Sequence, residues 1–389
     1  MVTMVIGGRT SERLIPVACA TLAVSAAVVA LIPVLRPAGW SLTALPRVAA
    51  NTGMGAAARA RDPGFRTVTT GDYDGQFYWG IAVDPLATGN VHQSFDTASY
   101  RYGHPLLGWL GWLLSAGQAR AVPAALLVVG LASLVLAALA ASQLDRTLGG
   151  RGWAGLFVAL NPGLLYGAVH DLAEPLSAAL LLGGFLCYAR GRRVLAAVCF
   201  GALILSKEQF VLVPLGIAAW EVLRRRGRLL DSGVLAACLL PAAGWWIYAR
   251  LQLGAWFTSG GNALGIPLSG WARALVDAGK QTYSSDGTQS VSAEATLVVL
   301  VALLFLLAFV GLVALQLRGP MDVVYLLLAI VAACLVPAAT ELERDALRNV
   351  AVLLTLVPFV IASLTGARTL RPLRAAGVHE PRRGSSSAG

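Results

Sequence analysis

Charged residues are scarce in this sequence, and lysine is almost absent. Of 389 residues, 13% are charged, and the only lysines are Lys207 and Lys280. A soluble domain has roughly 25% charged residues, so the composition excludes an ordinary soluble protein. The hydrophobic fraction of 57% and the mean hydropathy of +0.70 predict an integral membrane protein instead.

The polar segments contain neither cysteine nor a metal-ligand motif. All five cysteines fall inside apolar runs, which argues against a disulfide framework or a zinc site and favours buried, small apolar residues. No nucleotide-binding glycine loop is visible either. We therefore expect no required cofactor, and a Mg²⁺ or Mn²⁺ ion that bridges Asp72 or Asp74 to a phosphate stays open as an alternative.

Apolar runs near the length of about 20 residues that crosses a bilayer recur along the chain. We predict an all-α, polytopic transmembrane bundle of about ten spans, whose first span is too long for a signal-peptide core and is uncleaved. The span after residue 193 is short, so Lys207 and Glu208 are expected below the outer surface. The predicted spans are 14–35, 121–143, 153–168, 174–189, 194–206, 209–223, 229–250, 295–316, 322–337 and 348–364.

The basic residues give the predicted orientation. With a cytoplasmic N-terminus, the arginine-rich loops 190–193 and 224–228 fall on the inner side, as the positive-inside rule requires. The net charge of +10 is then a topology signal with a contribution from anionic lipid. We expect the lipid bilayer as a partner and no nucleic acid, in the cytoplasmic membrane.

Long polar segments fall on the outer side. Residues 1–368 are predicted to form one transmembrane domain, in which 36–120 is the first outer loop and 251–294 the second. We predict interfacial helices at 104–114 and around 268–276. Residues 369–389, rich in Arg, Pro, Gly and Ser, are predicted to form a disordered cytoplasmic tail.

Four clusters of ionisable residues share the outer side under this topology. Such groups at membrane depth point to function. Each cluster also has a simpler structural explanation: a helix cap at residues 171–174, a charged hairpin at 207–208, a solvated helical face at 341–348 and an Asx-turn at 72–74. The clusters are Asp72, Asp74 and Asp84 with Arg101 and His104; His170, Asp171 and Glu174; Lys207 and Glu208; and the run from Glu341 to Arg348.

Several of these segments are similar to a known family. The stretch Asp74-Gly-Gln-Phe-Tyr78, followed by Asp84-Pro85 and by Tyr100-Arg-Tyr102, resembles bacterial cell-surface glycopolymer proteins of the GT-C superfamily. These are integral-membrane glycosyltransferases that use polyprenyl-phosphate-linked sugars. The likeness covers roughly residues 65–220, and Ala173 and Lys207 stand where related sequences have Thr and often Arg.

The resemblance implies an inverting transfer of a sugar to a cell-envelope glycan or lipid acceptor at an outward-facing site. Asp74 or Asp72 would be the general base, and cations would stabilise the leaving phosphate. The alanine, arginine and glycine bias of high-GC genomes favours a mannose- or arabinose-like sugar. Candidate phosphate ligands are Arg101, His104, Lys207, Arg344 and Arg348; candidate sugar or acceptor ligands are Gln76, Tyr78, Trp79, Tyr102, His170, Asp171, Glu174 and Glu208.

Two other classes of protein stay open. A transporter or flippase of a lipid-linked envelope precursor would use the ionisable residues between Asp171 and Glu208 as a relay, but the long first loop would then have no purpose. A noncatalytic protein of glycan assembly would keep the aromatic and acidic residues without transferring a sugar.

Overall fold

The computed structural model describes residues 6–69, 71–223, 233, 235–260, 264–278, 293–340 and 343–365. These residues form helices and turns without a β-strand, which confirms the all-α fold class. The helices are α1 (Ile6–Leu35), α2 (Gly53–Arg61), α3 (Gly75–Val83), α4 (Ala98–Arg101), α5 (Leu106–Leu114), α6 (Val122–Thr147), α7 (Ala154–Ala159), α8 (Pro162–Val169), α9 (Glu174–Ala189), α10 (Arg193–Ser206), α11 (Leu212–Leu223), α12 (Leu239–Leu253), α13 (Ser269–Ala278), α14 (Ala293–Ala314), α15 (Pro320–Ala333), α16 (Glu343–Leu354) and α17 (Val357–Ala362).

Within the described residues, three helices are long and apolar enough to cross a membrane: Leu14–Leu35, Val122–Thr147 and Glu294–Ala314. They coincide with three of the predicted spans, and they indicate that the protein associates with a membrane. Crossing at the other positions stays a prediction. The helices expected near 104–114 and 268–276 are present as α5 and α13, while the tail 369–389 lies outside the described residues.

The predicted spans 153–168 and 348–364 are each divided between two helices. The segment 153–168 forms α7 and α8 because Asn161 caps a new helix: its side chain accepts hydrogen bonds from the N–H groups of Gly163 and Leu164, and Pro162 follows at the first position. The segment 348–364 is likewise divided between α16 and α17, and α16 begins five residues before the predicted start, at Glu343.

Helices α9, α10 and α11 run back and forth, so their ends alternate between two sides of the bundle. α9 starts at Glu174 and α10 ends beside Lys207, about 24 Å and 21 Å from their other ends. At those far ends, the Tyr188 hydroxyl donates to Glu221 at 2.6 Å, and Arg193 pairs with the same carboxylate at 3.0 Å. Glu174 and Lys207 therefore lie at the end opposite the arginine-rich loop.

The first part of the predicted outer loop packs around a group of aromatic side chains that belongs to the main hydrophobic core. Trp79 meets Phe65 edge to face at 5.3 Å between ring centroids, and Phe95 stacks on Tyr102 at 5.5 Å. The Tyr102 hydroxyl donates to the backbone carbonyl of Asp84 at 2.5 Å. This packing gives the residues at the start of α3 a rigid support.

Asp84 organises the turn that follows α3. Its carboxylate accepts hydrogen bonds from the N–H groups of Thr88 and Gly89, at 3.0 and 2.9 Å, and its other oxygen lies 2.9 Å from His92 Nδ1. These contacts give Asp84 and His92 a structural role, because they hold the turn after α3 together.

We expect Gly163→Ala to destabilise the fold. A Cβ at Gly163 would lie 2.7 Å from the Cβ of Ala351 and against the Leu347 carbonyl, so α8 and α16 would have to separate. Overpacking of this kind costs about 1–3 kcal/mol, measurable by thermal unfolding in detergent. Gly244→Ala, where nothing lies within 4 Å, is the control and should be neutral or slightly stabilising; equal effects at the two glycines would contradict the prediction.

Candidate functional site

A cavity of about 710 Å³ lies where the first loop meets the ends of α10, α12 and α16. Its lining comes from segments far apart in the sequence and combines charged, aromatic and apolar side chains. The lining residues are Tyr73, Asp74, Phe77, Tyr78, Ile81, Asp96, Thr97, Tyr100, Arg101, His104, Lys207, Glu208, Gln209, Val211, Trp246, Phe257, Gly260, Leu264, Leu335, Val336, Ala339, Asp345, Arg348 and Asn349.

Asp74 lies between two arginines. Its Oδ1 accepts a hydrogen bond from Arg101 Nη1 at 2.9 Å, and its Oδ2 accepts one from Arg348 Nη2 at 2.5 Å. Although Asp74 is the N-cap residue of α3, its side chain makes no capping bond. Burial raises the pKa of this carboxyl, but the charges of Arg348 and Arg101 outweigh burial and hold the pKa well below its usual range.

Glu174 extends this chain of charges. Its Oε1 accepts from Lys207 Nζ at 2.7 Å and from Arg348 Nε at 3.0 Å. The side chain is 2% exposed and lies behind the cavity wall. Arg348 therefore bridges Asp74 and Glu174, and the predicted clusters around residues 72–104, 170–174, 207–208 and 341–348 meet through their ionisable groups.

The loop also holds Arg101 in place from behind. Asp96 accepts from Arg101 Nε at 3.0 Å and from Nη2 at 2.7 Å, in the bidentate geometry that suits a guanidinium. The guanidinium carbon lies 3.7 Å from the centroid of the Phe77 ring. Sequence reasoning did not select Asp96, although its spacing five residues before Arg101 would have permitted the pairing.

Tyr73 and Asp345 form a second polar contact on the cavity wall. The Tyr73 hydroxyl donates a hydrogen bond to Asp345 Oδ1. The Tyr73 ring meets Tyr166 edge to face at 5.6 Å, and the Arg348 guanidinium lies 4.9 Å from its centroid. The sequence placed Asp345 in the charged run 341–348, but neither it nor Tyr73 was predicted as a site ligand. Residues three apart on a helix share a face, and that spacing from Arg348 was the available signal for Asp345.

His104 and Glu208 face each other at the same cavity. His104 Nδ1 lies 3.1 Å from Glu208 Oε2, but the two groups do not form a well-aligned hydrogen bond. The imidazole ring meets Tyr100 at 5.3 Å and Tyr78 at 6.1 Å between centroids, both edge to face. The cavity thus brings together His104, Glu208 and Tyr78, which were predicted as site residues, and Tyr100, which was not.

Other predicted site residues do not line the cavity. The Asp72 carboxylate accepts from Gln76 Nε2 at 3.0 Å, and Gln76 Oε1 accepts from the N–H of Ala49 at 3.3 Å, so this pair ties the loop to its neighbour. Trp79 and Tyr102 are 1% and 0% exposed, which leaves no free ring face for a sugar.

The second cluster lies mostly behind the cavity wall as well. His170 stacks on Tyr166 at 4.1 Å, and its Nδ1 lies 3.0 Å from the Tyr166 carbonyl. Asp171 is 2% exposed with φ +54°, and neither of its carboxylate oxygens has a hydrogen-bond partner among the described residues; burial raises its pKa well above the usual range. Arg344 lies in the first turn of α16, outside the cavity lining.

Among the described residues, no group of three or more His, Cys, Asp and Glu side chains is placed to hold a metal ion. The two candidate carboxylates also do not converge, because Asp72 bonds to Gln76 while both Asp74 oxygens bond to guanidinium groups. That no cofactor is required, with a Mg²⁺ or Mn²⁺ ion at Asp72 or Asp74 as the alternative, stays a prediction.

Comparison with known proteins found neither a matching protein-family model nor a matching curated protein. The function therefore has to be argued from the fold and the cavity.

We expect the cations around Glu174 to stabilise the fold non-additively. Arg348→Met or Lys207→Met alone leaves Glu174 one cation, so each should cost about 1.5–3 kcal/mol, the range for a hydrogen bond to a charged group. The double substitution leaves a buried carboxylate without either cation and should cost more than the sum of the two.

Denaturant or thermal unfolding in detergent measures this coupling. Arg273→Met is the matched control, because Arg273 is 72% exposed in a surface pair with Asp277 and should cost under about 1 kcal/mol. A double substitution that costs no more than the sum of the single ones would contradict the shared role of the two cations.

We expect His170 to lower the stability of the fold as the pH falls. Burial lowers the pKa of His170 from 6.5 to about 4, so between these values the unfolded chain binds a proton that the folded chain does not. Stability is then lost from pH 6.5 towards pH 4, by about 3 kcal/mol at most. His170→Phe should flatten the slope of unfolding free energy against pH in this window; an unchanged slope would contradict the assignment.

Proposed function

We propose that this protein is an inverting glycosyltransferase of the GT-C type. It moves a mannose- or arabinose-like sugar from a polyprenyl-phosphate donor to a glycan or lipid acceptor of the cell envelope. The observation that carries the proposal is the convergence of Arg101, Lys207 and Arg348 at one cavity in a protein with membrane-length helices.

The three cations suit the leaving group of this reaction. Cleavage of the bond between sugar and phosphate concentrates negative charge on the phosphate oxygens, and fixed cations in a site of low dielectric stabilise that charge. Each of the three side chains is at most 17% exposed, so water screens them little. Lys207 and Arg348 belong to different segments, which would let them contact different phosphate oxygens.

The remaining wall supplies surfaces for sugar and lipid. The rings of Tyr78, Tyr100, Trp246 and Phe257 face a cavity of about 710 Å³, within the range of ordinary ligand pockets. Trp246 stacks on Phe257 at 4.4 Å. These rings take the sugar-contacting role that sequence reasoning gave to Trp79 and Tyr102.

The proposed site faces the outside of the cytoplasmic membrane in a multi-pass protein. The cavity lies at the ends of α9 and α10 that are opposite Arg193 and its neighbouring arginines, and basic loops favour the cytoplasmic side. Nucleotide sugars are not available on the outer side, so a lipid-linked donor fits this orientation.

A transporter of a lipid-linked precursor is the second candidate. It is favoured by one observation: Glu174 is 2% exposed, is shared by Lys207 and Arg348, and leaves its Oε2 without a hydrogen-bond partner among the described residues. Buried ionisable groups of this kind also occur in proton and substrate relays.

We expect loss of a cavity cation to impair sugar transfer. In proteoliposomes supplied with radiolabelled polyprenyl-phosphate mannose or arabinose and envelope acceptors, Lys207→Met and Arg348→Met should each lower kcat/KM by about 10²–10³, the usual cost of one transition-state charge partner. Asp74→Asn should also impair transfer, because it removes the carboxylate charge that Arg101 and Arg348 share.

Arg273→Met is the control and should retain wild-type transfer. The proposal fails if the wild-type protein transfers sugar from no polyprenyl-phosphate donor, or if both cation variants keep full activity. Flux of the intact donor across the bilayer that depends on Glu174 and Lys207, without transfer, would identify the transporter instead.

A further inference from the structure

The carboxylates that line the cavity are not equivalent. They are Asp74, Asp96, Glu208 and Asp345. The first two are paired with arginine, and Glu208 faces His104. Asp345 makes no ion pair within 4 Å with any residue in the described part of the chain, and its hydrogen-bond partner is the neutral phenol of Tyr73.

From this difference we propose that Asp345, rather than Asp74, accepts the proton of the acceptor hydroxyl, and that Tyr73 positions the Asp345 carboxylate. The inference rests on the proposed glycosyltransferase activity and names a further catalytic residue for it.

Asp74 is poorly suited to accept a proton. Each of its oxygens already accepts a hydrogen bond from a guanidinium, at 2.9 Å from Arg101 and 2.5 Å from Arg348. Protonation would replace one of these charge-assisted bonds, and Arg101 or Arg348 would then keep only its other carboxylate, Asp96 or Glu174. The same charges hold the pKa of Asp74 far below the working pH, whereas a general base is most effective when its pKa lies near that pH.

Asp345 is in a different electrostatic setting. Burial raises its pKa, while Tyr73, Arg348 and Arg344 lower it and Asp74 raises it further; the net direction is upward from 3.8. The segments packed against α16, which are α8 with its C-cap and α9, also carry Tyr166, His170 and Glu174. The result is a carboxylate that is more basic than Asp74 on the same cavity.

Tyr73 fixes Asp345 without neutralising it. The phenol engages Oδ1 and carries no charge, so it orients the carboxylate and leaves Oδ2 for the acceptor. The Tyr73 ring is itself held between Tyr166 and the Arg348 guanidinium. Because Tyr73 directly precedes Asp74, one turn of the loop positions both the Asp345 partner and the arginine cluster.

The proposed step balances as a direct displacement. The acceptor oxygen forms a bond to the anomeric carbon of the sugar, and the bond from that carbon to the phosphate oxygen breaks. Its electron pair goes to the phosphate, next to Arg348 and Lys207. The proton of the acceptor hydroxyl goes to Asp345 Oδ2, and water removes it when the product leaves.

Steady-state kinetics in proteoliposomes separate the two aspartates. Asp345→Asn should lower kcat by about 10²–10⁴ with the donor KM little changed, and should remove the acid limb of the kcat/KM profile. Asp345→Glu should restore part of the rate.

Tyr73→Phe should move the acid limb to higher pH, because the carboxylate loses a hydrogen bond that stabilises its charged form. Asp74→Asn should raise the donor KM and keep the acid limb.

The opposite pattern overturns the inference: an acid limb that persists in Asp345→Asn but disappears in Asp74→Asn or His104→Gln. Thermal unfolding checks that each variant is folded, and partial rescue by Asp345→Glu separates lost chemistry from lost structure.

A second measurement does not depend on activity. Dicyclohexylcarbodiimide reacts with protonated carboxyl groups in apolar surroundings, and peptide mass spectrometry locates the adduct. At neutral pH the purified wild-type protein should be labelled at Asp345 in preference to Asp74, and more strongly in Tyr73→Phe. If Asp74 is labelled in preference to Asp345 in a protein that transfers sugar, the role of Asp345 is wrong but the glycosyltransferase activity stands. Absence of transfer with every donor overturns the glycosyltransferase and this role with it.

Discussion

The guanidinium of Arg348 lies between two carboxylates, and the arrangement of the cavity depends on it. Asp74 comes from the first loop, Glu174 from the start of α9, and Arg348 from α16 near the end of the described chain. Removing one member of a buried charge cluster leaves another charge without compensation. Ion pairs as well as apolar contacts therefore hold the three segments together. The position of Arg348 between the two carboxylates determines where the cavity walls meet.

This bridge requires close approach of the backbones that carry it. At Gly75, one residue after Asp74, a Cβ would collide with the carbonyl of His170 and lie 3.0 Å from the Cα of Pro46. At Gly163, a Cβ would collide with the carbonyl of Leu347, one residue before Arg348. Gly75 follows Asp74 in the sequence, and Gly163 packs against the backbone next to Arg348, so the absence of two side chains permits the contact between three others.

The sequence predicted the helical class and a set of ionisable clusters that the structure gathers around one cavity. It also predicted about ten spans, and three of them coincide with helices in the described part of the chain that are long and apolar enough to cross a membrane. The short predicted span 194–206 correctly placed the end of α10 just before Lys207. The length of this helix in Å then follows from its number of residues. Burial was not predictable in the same way. Trp79 and Tyr102 have the composition of a sugar platform, but they fill the core of the loop because aromatic side chains bury large apolar areas. Asp345 belongs to a charged run that has the pattern of a solvated helical face. Its contact with Tyr73, which the sequence does not show, distinguishes it from the other charged residues of that run.

The charge balance of the cavity bears on how an anionic donor would bind. Each cation that a phosphate could reach already holds a carboxylate: Arg101 and Arg348 hold Asp74, and Lys207 and Arg348 hold Glu174. Glu174 is 2% exposed and Asp74 is 29% exposed, so Asp74 is the carboxylate that an entering phosphate can replace. Exchange of one anion for another avoids stripping water from bare guanidinium groups, whose desolvation is costly. In the proposed reaction, Asp74 therefore keeps the cations ordered and close to charge balance until the donor arrives.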